Sequence, residues 1–229
     1  MNRLTLSGNQ LKLIALVSMT IDHIGLQLFP GMPIFRLLGR LAFPIFAYMI
    51  AEGCRYTRSR GRYLLSMAAL AFLCQAVDFV AMGSLYMCVL VTFSLSIAVI
   101  FSMDRARQCP NPGNTLLAAA ALLGALFLTD FLPMLLPGTD YGIDYGFLGI
   151  LLPLAVYMGR TKRERLLYAG AVLLAMAVSF GGTQWFGLAA LLPLALYSGK
   201  RGRLKMKYLF YIYYPAHLAA IYLLSLLLN

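Results

Sequence analysis

The chain has 229 residues, 61% of them hydrophobic and only 12% charged, with a mean hydropathy of +0.79 and a formal net charge of +11. A soluble domain carries about twice that charged fraction, so a water-soluble globular fold is excluded. Apolar runs of about 18 residues or more recur along the sequence and leave no stretch over for a soluble domain, so residues 1–229 read as a single all-α, polytopic membrane bundle. The basic excess fits membrane topology, and no nucleic-acid partner is expected.

The first segment, MNRLTLSGNQLK, is a basic end running into apolar sequence, as in a signal peptide. The apolar run continues to Phe29, carries Asp22 and His23 and ends without a small-residue cleavage site, so it reads as a retained first helix. Further spans are predicted at about 35–53, 63–81, 86–103, 115–136, 145–158, 166–180, 184–198 and 209–228. With the first at about 10–29 they number nine, within a range of eight to ten because the sixth to eighth are short for a bilayer.

The charges orient these spans. Of the 19 basic residues, all but Arg36 and Arg40 fall on one side if the spans alternate. They cluster at Arg55–Arg62, Arg105–Arg107, Arg160–Arg165 and Lys200–Lys207, with Arg3 and Lys12 at the start. The connections at 82–85, 137–144 and 181–183 hold no Lys or Arg, and Asp140 and Asp144 lie in the second. The positive-inside rule then places the N-terminus in the cytoplasm and the C-terminus outside. LLPLAVYMGR at 151–160 also echoes LLPLALYSGK at 191–200, an offset of 40 that suits either a parallel repeat or chance likeness among Leu-Pro-Leu segments. The four cysteines, Cys54, Cys74, Cys88 and Cys109, show no CxxC pair, and neither a metal site nor a disulfide framework is expected.

Ionisable side chains inside apolar spans are the functional candidates, because each is costly in hydrocarbon unless paired or hydrated. Asp22 and His23 fall in the outer half of the first span, and Arg36 and Arg40, four apart and so on one helical face, fall at a similar depth in the second. An Asp22–Arg40 ion pair across this hairpin would leave His23 as the titratable group, suited to proton transfer near neutral pH. The plainer alternative is a structural salt bridge with His23 merely hydrogen-bonded. Asp78 ends the third span, Asp144-Tyr145-Gly146 opens the sixth and Gln184 opens the eighth, all at the outer level. Asp144 suits helix-dipole complementarity as well as it suits a site. His217, the chain's other histidine, sits in mid-span within FYIYYPAHL, where Pro215 interrupts the helix ladder and tyrosines such as Tyr214 bring hydroxyls. Glu52, beside the arginine run after the second span, reads as a solvated carboxylate.

IDHIG, GRLAFPIFAYMIAEG, DYG, QWFGLAALLPLALYSGKRG and KYLFYIYYPAHL stand in the order and spacing of the TraX family of bacterial membrane proteins, which the chain resembles over nearly its whole length. The founding member of that family is associated with N-terminal acetylation of a conjugative pilin, and the family is similar to membrane acyltransferases that carry acetyl groups across a membrane. The resemblance implies acyl transfer from acetyl-CoA, with no metal, in the bacterial cytoplasmic (inner) membrane, and the histidine of IDHIG, His23, as its centre. The acceptor would be a peptide amine, or a glycan or small-molecule hydroxyl or amine, outside the cytoplasm. In that chemistry Asp22 would orient the imidazole, Arg40 with Arg36 would stabilise the oxyanion, and His217 would be a second proton acceptor. Arg58, Arg60, Arg62, Lys200, Arg201 and Arg203 are candidates for the phosphates of CoA. Two other classes fit the same residues: a proton-coupled transporter with Asp22 and His23 as its relay, and a non-catalytic assembly factor for surface structures.

Overall fold

A computed structural model describes residues 5–202 and 207–228. Helices occupy each of the nine intervals read from the sequence. Ser7 caps α1 (Gly8–Gln27) in a reciprocal capping box with Gln10. The second interval is broken into α2 (Pro33–Gly39) and α3 (Ala42–Tyr56). Pro44 causes the break, since it has no N–H for the Arg40 carbonyl four residues back and its ring crowds that oxygen. Next come α4 (Arg60–Met82), α5 (Val89–Gln108) and α6 (Pro112–Leu126), which runs through a π turn (Phe127–Phe131) into α7 (Leu132–Leu135). After these lie α8 (Gly146–Met158) and α9 (Lys162–Phe180), a 3₁₀ segment (Gly182–Ala190) leading into α10 (Leu191–Ala195), and α11 (Lys207–Leu228). Among the described residues the strands are a parallel pair of two residues each, β1 (Tyr86–Met87) and β2 (Gly142–Ile143), with Tyr86 opposite Gly142.

Among the described residues, four stretches are long and apolar enough to cross a membrane: Pro33–Tyr56, Arg60–Val80, Val89–Gln108 and Pro112–Leu135. Their surfaces are inverted relative to a soluble protein. Phe72 is 77% exposed, Val80 85% and Met134 75%, so α4, α6 and α7 turn large apolar side chains outward, as lipid-facing helices do.

The chain forms two compact units, Met1–Met49 with Ala169–Asn229, and Ile50–Tyr168, and passes between them within α3 and within α9. The first unit packs α1 against α2 and α11 around Leu11, Ala15, Met19, Ile45 and Tyr48, with Leu173, Met176 and Leu194 from the later segments. In the second unit α5 is the hub, packing on α4, α6 and α8, with Ile97, Val99 and Ile100 of α5 and Ile150, Leu152 and Val156 of α8 all buried. Between helices in lipid, close van der Waals fit and short polar contacts replace the hydrophobic drive. Here the buried Thr92 hydroxyl donates to the Asp144 carbonyl at 2.6 Å and the buried Ser96 hydroxyl to the Ile150 carbonyl at 3.2 Å. Gly149 permits this approach, because a Cβ there would press on Thr92 and Tyr145.

The echoed segments share a helical Leu-Leu-Pro-Leu-Ala but not their surroundings. In the second unit it lies inside the continuous α8, whereas in the first it follows a 3₁₀ segment and leads to Tyr197, bridged to Leu6.

Candidate functional site

The first unit gathers the polar residues of α1, α2 and α11. Successive turns of α1 bring Met19, Asp22 and His23 to neighbouring positions. On α2 the four-residue spacing puts Arg36 and Arg40 side by side. Arg36 Nη1 donates to Asp22 Oδ2 at 2.6 Å, while Arg40 Nη2 lies 3.7 Å from Asp22 Oδ1. The closer partner of Asp22 is therefore Arg36 rather than the expected Arg40, because Arg40 lies at the helix break beyond Gly39 and turns its Nη1 to Gln184 Oε1 at 3.3 Å. Gln184, buried in the 3₁₀ segment, thus joins the cluster. Gly39 makes the arrangement possible, since a Cβ at that position would overlap the Asp22 carboxylate.

The charges in this cluster do not cancel. Asp22 is the sole acidic side chain in the sequence of the first unit, and it faces two guanidinium groups. Among the described residues Asp22 Oδ1 and Arg40 Nε are buried without a hydrogen-bond partner. An orphaned buried donor beside excess positive charge is poised for an anionic oxygen.

The two histidines meet. His217 Nε2 is 3.2 Å from His23 Nδ1, with ring centroids 5.0 Å apart at 67°. Each ring is also held by its own helix: His23 Nδ1 lies 2.9 Å from the Met19 carbonyl, and His217 Nδ1 lies 2.9 Å from the Tyr213 carbonyl. A carbonyl only accepts, so both Nδ1 atoms carry hydrogen in the neutral rings. His23 Nδ1–H then divides its bond between the Met19 carbonyl and His217 Nε2, and His23 Nε2 is left as a lone-pair base. The Tyr213 ring stacks on His217 at 5.3 Å and the buried Tyr214 meets it edge-on at 5.5 Å. The Thr20 hydroxyl donates to the Leu16 carbonyl, so the Tyr213 hydroxyl, 2.6 Å away, donates to Thr20. Asp22 is turned to the arginines and does not grip the imidazole as expected. The Met19 carbonyl and His217 orient His23 instead.

The other sequence candidates lie elsewhere. Asp78, half-buried on α4, and Asp144 and Tyr145 belong to the second unit. Tyr145, in the left-handed region at φ 63°, turns the chain into α8, and the Tyr86 hydroxyl donates to Asp144 Oδ1 at 3.2 Å. Arg58 and Arg62 are exposed, and Arg62 Nε donates to Ser59 Oγ. Arg60 is half-buried and ion-paired: its Nη2 donates to Asp104 Oδ2 at 2.6 Å, an oxygen that also accepts from the Tyr157 hydroxyl. Lys200 and Arg201 are exposed, and their carbonyls accept the Gly8 and Asn9 amides at the start of α1. Arg203 lies outside the described residues. Glu52 is buried rather than solvated, because Arg165 Nη1 reaches it at 2.8 Å and Arg55 Nε lies 3.9 Å away.

Sequence reading passed over Thr20 and Gly39. Thr20 stands three residues before His23, as Tyr213 stands four before His217, and that helical spacing is the signal that could have found it. For Gly39 the signal was a glycine between two in-membrane arginines.

Residues 7–225 match the TraX protein family. A curated protein of Rickettsia prowazekii (strain Madrid E), named "Uncharacterized protein RP591", is 53% identical over 38 residues, which is 17% of this chain and 15% of that protein. The shared stretch is thus a small part of both. No solved structure matches. A family match over nearly the whole length, on a chain whose described residues include four membrane-length apolar helices, leads to one conclusion: the protein belongs to the TraX family.

Proposed function

We propose that this protein is a membrane-embedded acyltransferase that moves an acetyl or other acyl group from cytoplasmic acyl-CoA to an amine or hydroxyl acceptor outside the bacterial cytoplasmic membrane. The observation that carries the reading is the hydrogen-bonded His23–His217 pair in the same unit as the Asp22, Arg36 and Arg40 cluster, in a chain of this family. The basic clusters orient the chain with its N-terminus in the cytoplasm, and nine helical intervals fit nine spans.

In this chemistry the acceptor nitrogen or oxygen attacks the thioester carbonyl carbon while His23 Nε2 takes its proton. The carbon–sulfur bond breaks, His23 Nε2 returns that proton to the sulfur, and CoA leaves as a thiol. The charge that His23 gains spreads through Nδ1–H to His217 Nε2, so the second ring shares the proton. Arg40 Nε supplies a donor for the carbonyl oxygen as it becomes an oxyanion, and removal of such a donor costs about 10²–10³ in rate. Asp22 holds the two arginines in place.

The same pair of histidines favours a second reading, a proton-coupled transporter, because two hydrogen-bonded imidazoles can pass a proton. Membrane vesicles supplied with labelled acetyl-CoA on the cytoplasmic face separate the two. The acyltransferase reading expects label on acceptors at the opposite face, lost with Arg40→Gln. Proton-linked solute uptake without a labelled product would establish the transporter.

A further inference from the structure

The second unit holds a cavity of about 390 Å³ between the start of α4 and the end of α5, and of the residues around it Arg60 alone is among the sequence candidates. Arg60, Gly61 and Leu64 line it from α4, and Phe101, Arg105 and Gln108 line it from α5, with Cys109 at the helix end. No acidic side chain is among these lining residues. Arg60 is held at the wall, its guanidinium 5.4 Å above the Phe101 ring and its Nη2 on Asp104. Arg105 is steadied by its Nε, which donates to Asn114 Oδ1 at 3.1 Å, and this directs its terminal amino groups away from that bond. The start of α4 adds to the positive field: Ser59 at its N-cap makes no capping bond, and the first turn contains no acidic residue. At Gly61 an added Cβ would meet nothing within 4 Å, so the backbone there is open to a ligand.

Two guanidinium groups, an amide side chain and an uncapped helix start, set above an apolar floor of Leu64 and Phe101, suit an anion attached to a carbon skeleton. Guanidinium pairs phosphate with two parallel hydrogen bonds, and the floor takes the less polar part. We propose that this cavity is a binding site for an organic phosphate. Two sources share that chemistry, the phosphates of coenzyme A and the headgroup of an anionic phospholipid. Identifying the occupant with the acyl donor rests on the acyltransferase reading, whereas phosphate binding itself does not.

Cys109 supplies a built-in probe, since it is exposed while Cys54 and Cys74 are buried and Cys88 is half-buried. Detergent-purified protein is titrated with coenzyme A or inorganic phosphate, and the maleimide labelling rate at Cys109 is followed by mass spectrometry. Coenzyme A should protect Cys109, and Arg105→Gln should weaken that protection about tenfold, the worth of one charge-assisted hydrogen bond. Arg107→Gln removes the same charge from the same helix end but outside the cavity, and should leave protection nearly intact. The second arm places the protein in nanodiscs: protection by phosphatidylglycerol but not phosphatidylcholine, with no effect of coenzyme A, would assign the site to lipid. Failure of coenzyme A, phosphate and anionic lipid alike to protect Cys109 would overturn the proposal, as would equal losses from Arg105→Gln and Arg107→Gln. His23→Ala should retain protection, so loss of turnover and loss of phosphate binding are separately readable.

Discussion

Asp22 illustrates how one side chain can hold a polar cluster together. Its carboxylate faces Arg36 and Arg40, and all three are mostly shielded from solvent. Removing one member of an ion pair leaves uncompensated charge, which costs about 3–5 kcal/mol when the pair is fully buried and less here, where Arg36 keeps 30% of its side chain exposed. Asp22→Ala should therefore lower the melting temperature of the purified protein markedly, while the double variant Asp22→Ala/Arg36→Leu should recover part of the loss. Equal melting of the two would show that the pair is not coupled. The sequence made Asp22, His23, Arg36, Arg40 and His217 legible because charge inside an apolar run is conspicuous. It could not show which arginine sits closer, because that depends on the break at Arg40, nor that two histidines nearly two hundred residues apart share a hydrogen bond. Glu52 was misread for the same reason, since its partner Arg165 comes from a distant helix, and the Arg60–Asp104 pair was likewise invisible in the sequence.

Among the elements, the contact between α1 and α2 depends on the absence of a side chain. A Cβ at Gly39 would overlap Asp22, whereas one at Gly31 would meet nothing within 4 Å. Gly39→Ala should destabilise the protein by about 1–3 kcal/mol, the usual cost of overpacking, and depress turnover through displaced Asp22. Gly31→Ala should do neither, and equal thermal stability of the two variants would contradict this account of the packing. The loop that precedes β2 is held by Asp140, which accepts from the Ser84 hydroxyl at 2.6 Å and the Leu85 amide at 3.0 Å. These bonds, the Ser84 hydroxyl first, hold its carboxyl below the usual carboxylate range. A depressed value contributes stability above the unfolded carboxylate pKa of about 3.9, and that contribution is lost as pH falls through the folded value. Wild type should thus lose melting temperature on acidification more steeply than Asp140→Asn, a comparison made by scanning both between neutral and acid pH. Parallel curves would remove Asp140 from the account. Helix positions were legible from apolar run length alone, while the break at Pro44, the π turn and the paired strands depend on single residues and tertiary partners that periodicity does not report.

For the whole molecule, membrane residence and family follow from independent observations, the outward-facing apolar helices and the match over residues 7–225. The proposed acyl transfer draws on the family together with the hydrogen-bonded histidine pair. The direct measurement is release of free CoA from acetyl-CoA by detergent-purified protein, with His23→Ala and His217→Ala alongside. Proton transfer by a positioned side chain contributes about 10²–10⁴-fold, so His23→Ala should lose activity by that order. His217→Ala should lose less and shift the pH profile, because His23 then keeps its proton alone. Wild-type turnover that survives His23→Ala undiminished, in a variant that melts normally, would contradict the assignment of the centre, and no turnover by wild type with any acceptor amine or hydroxyl would contradict the acyltransferase itself.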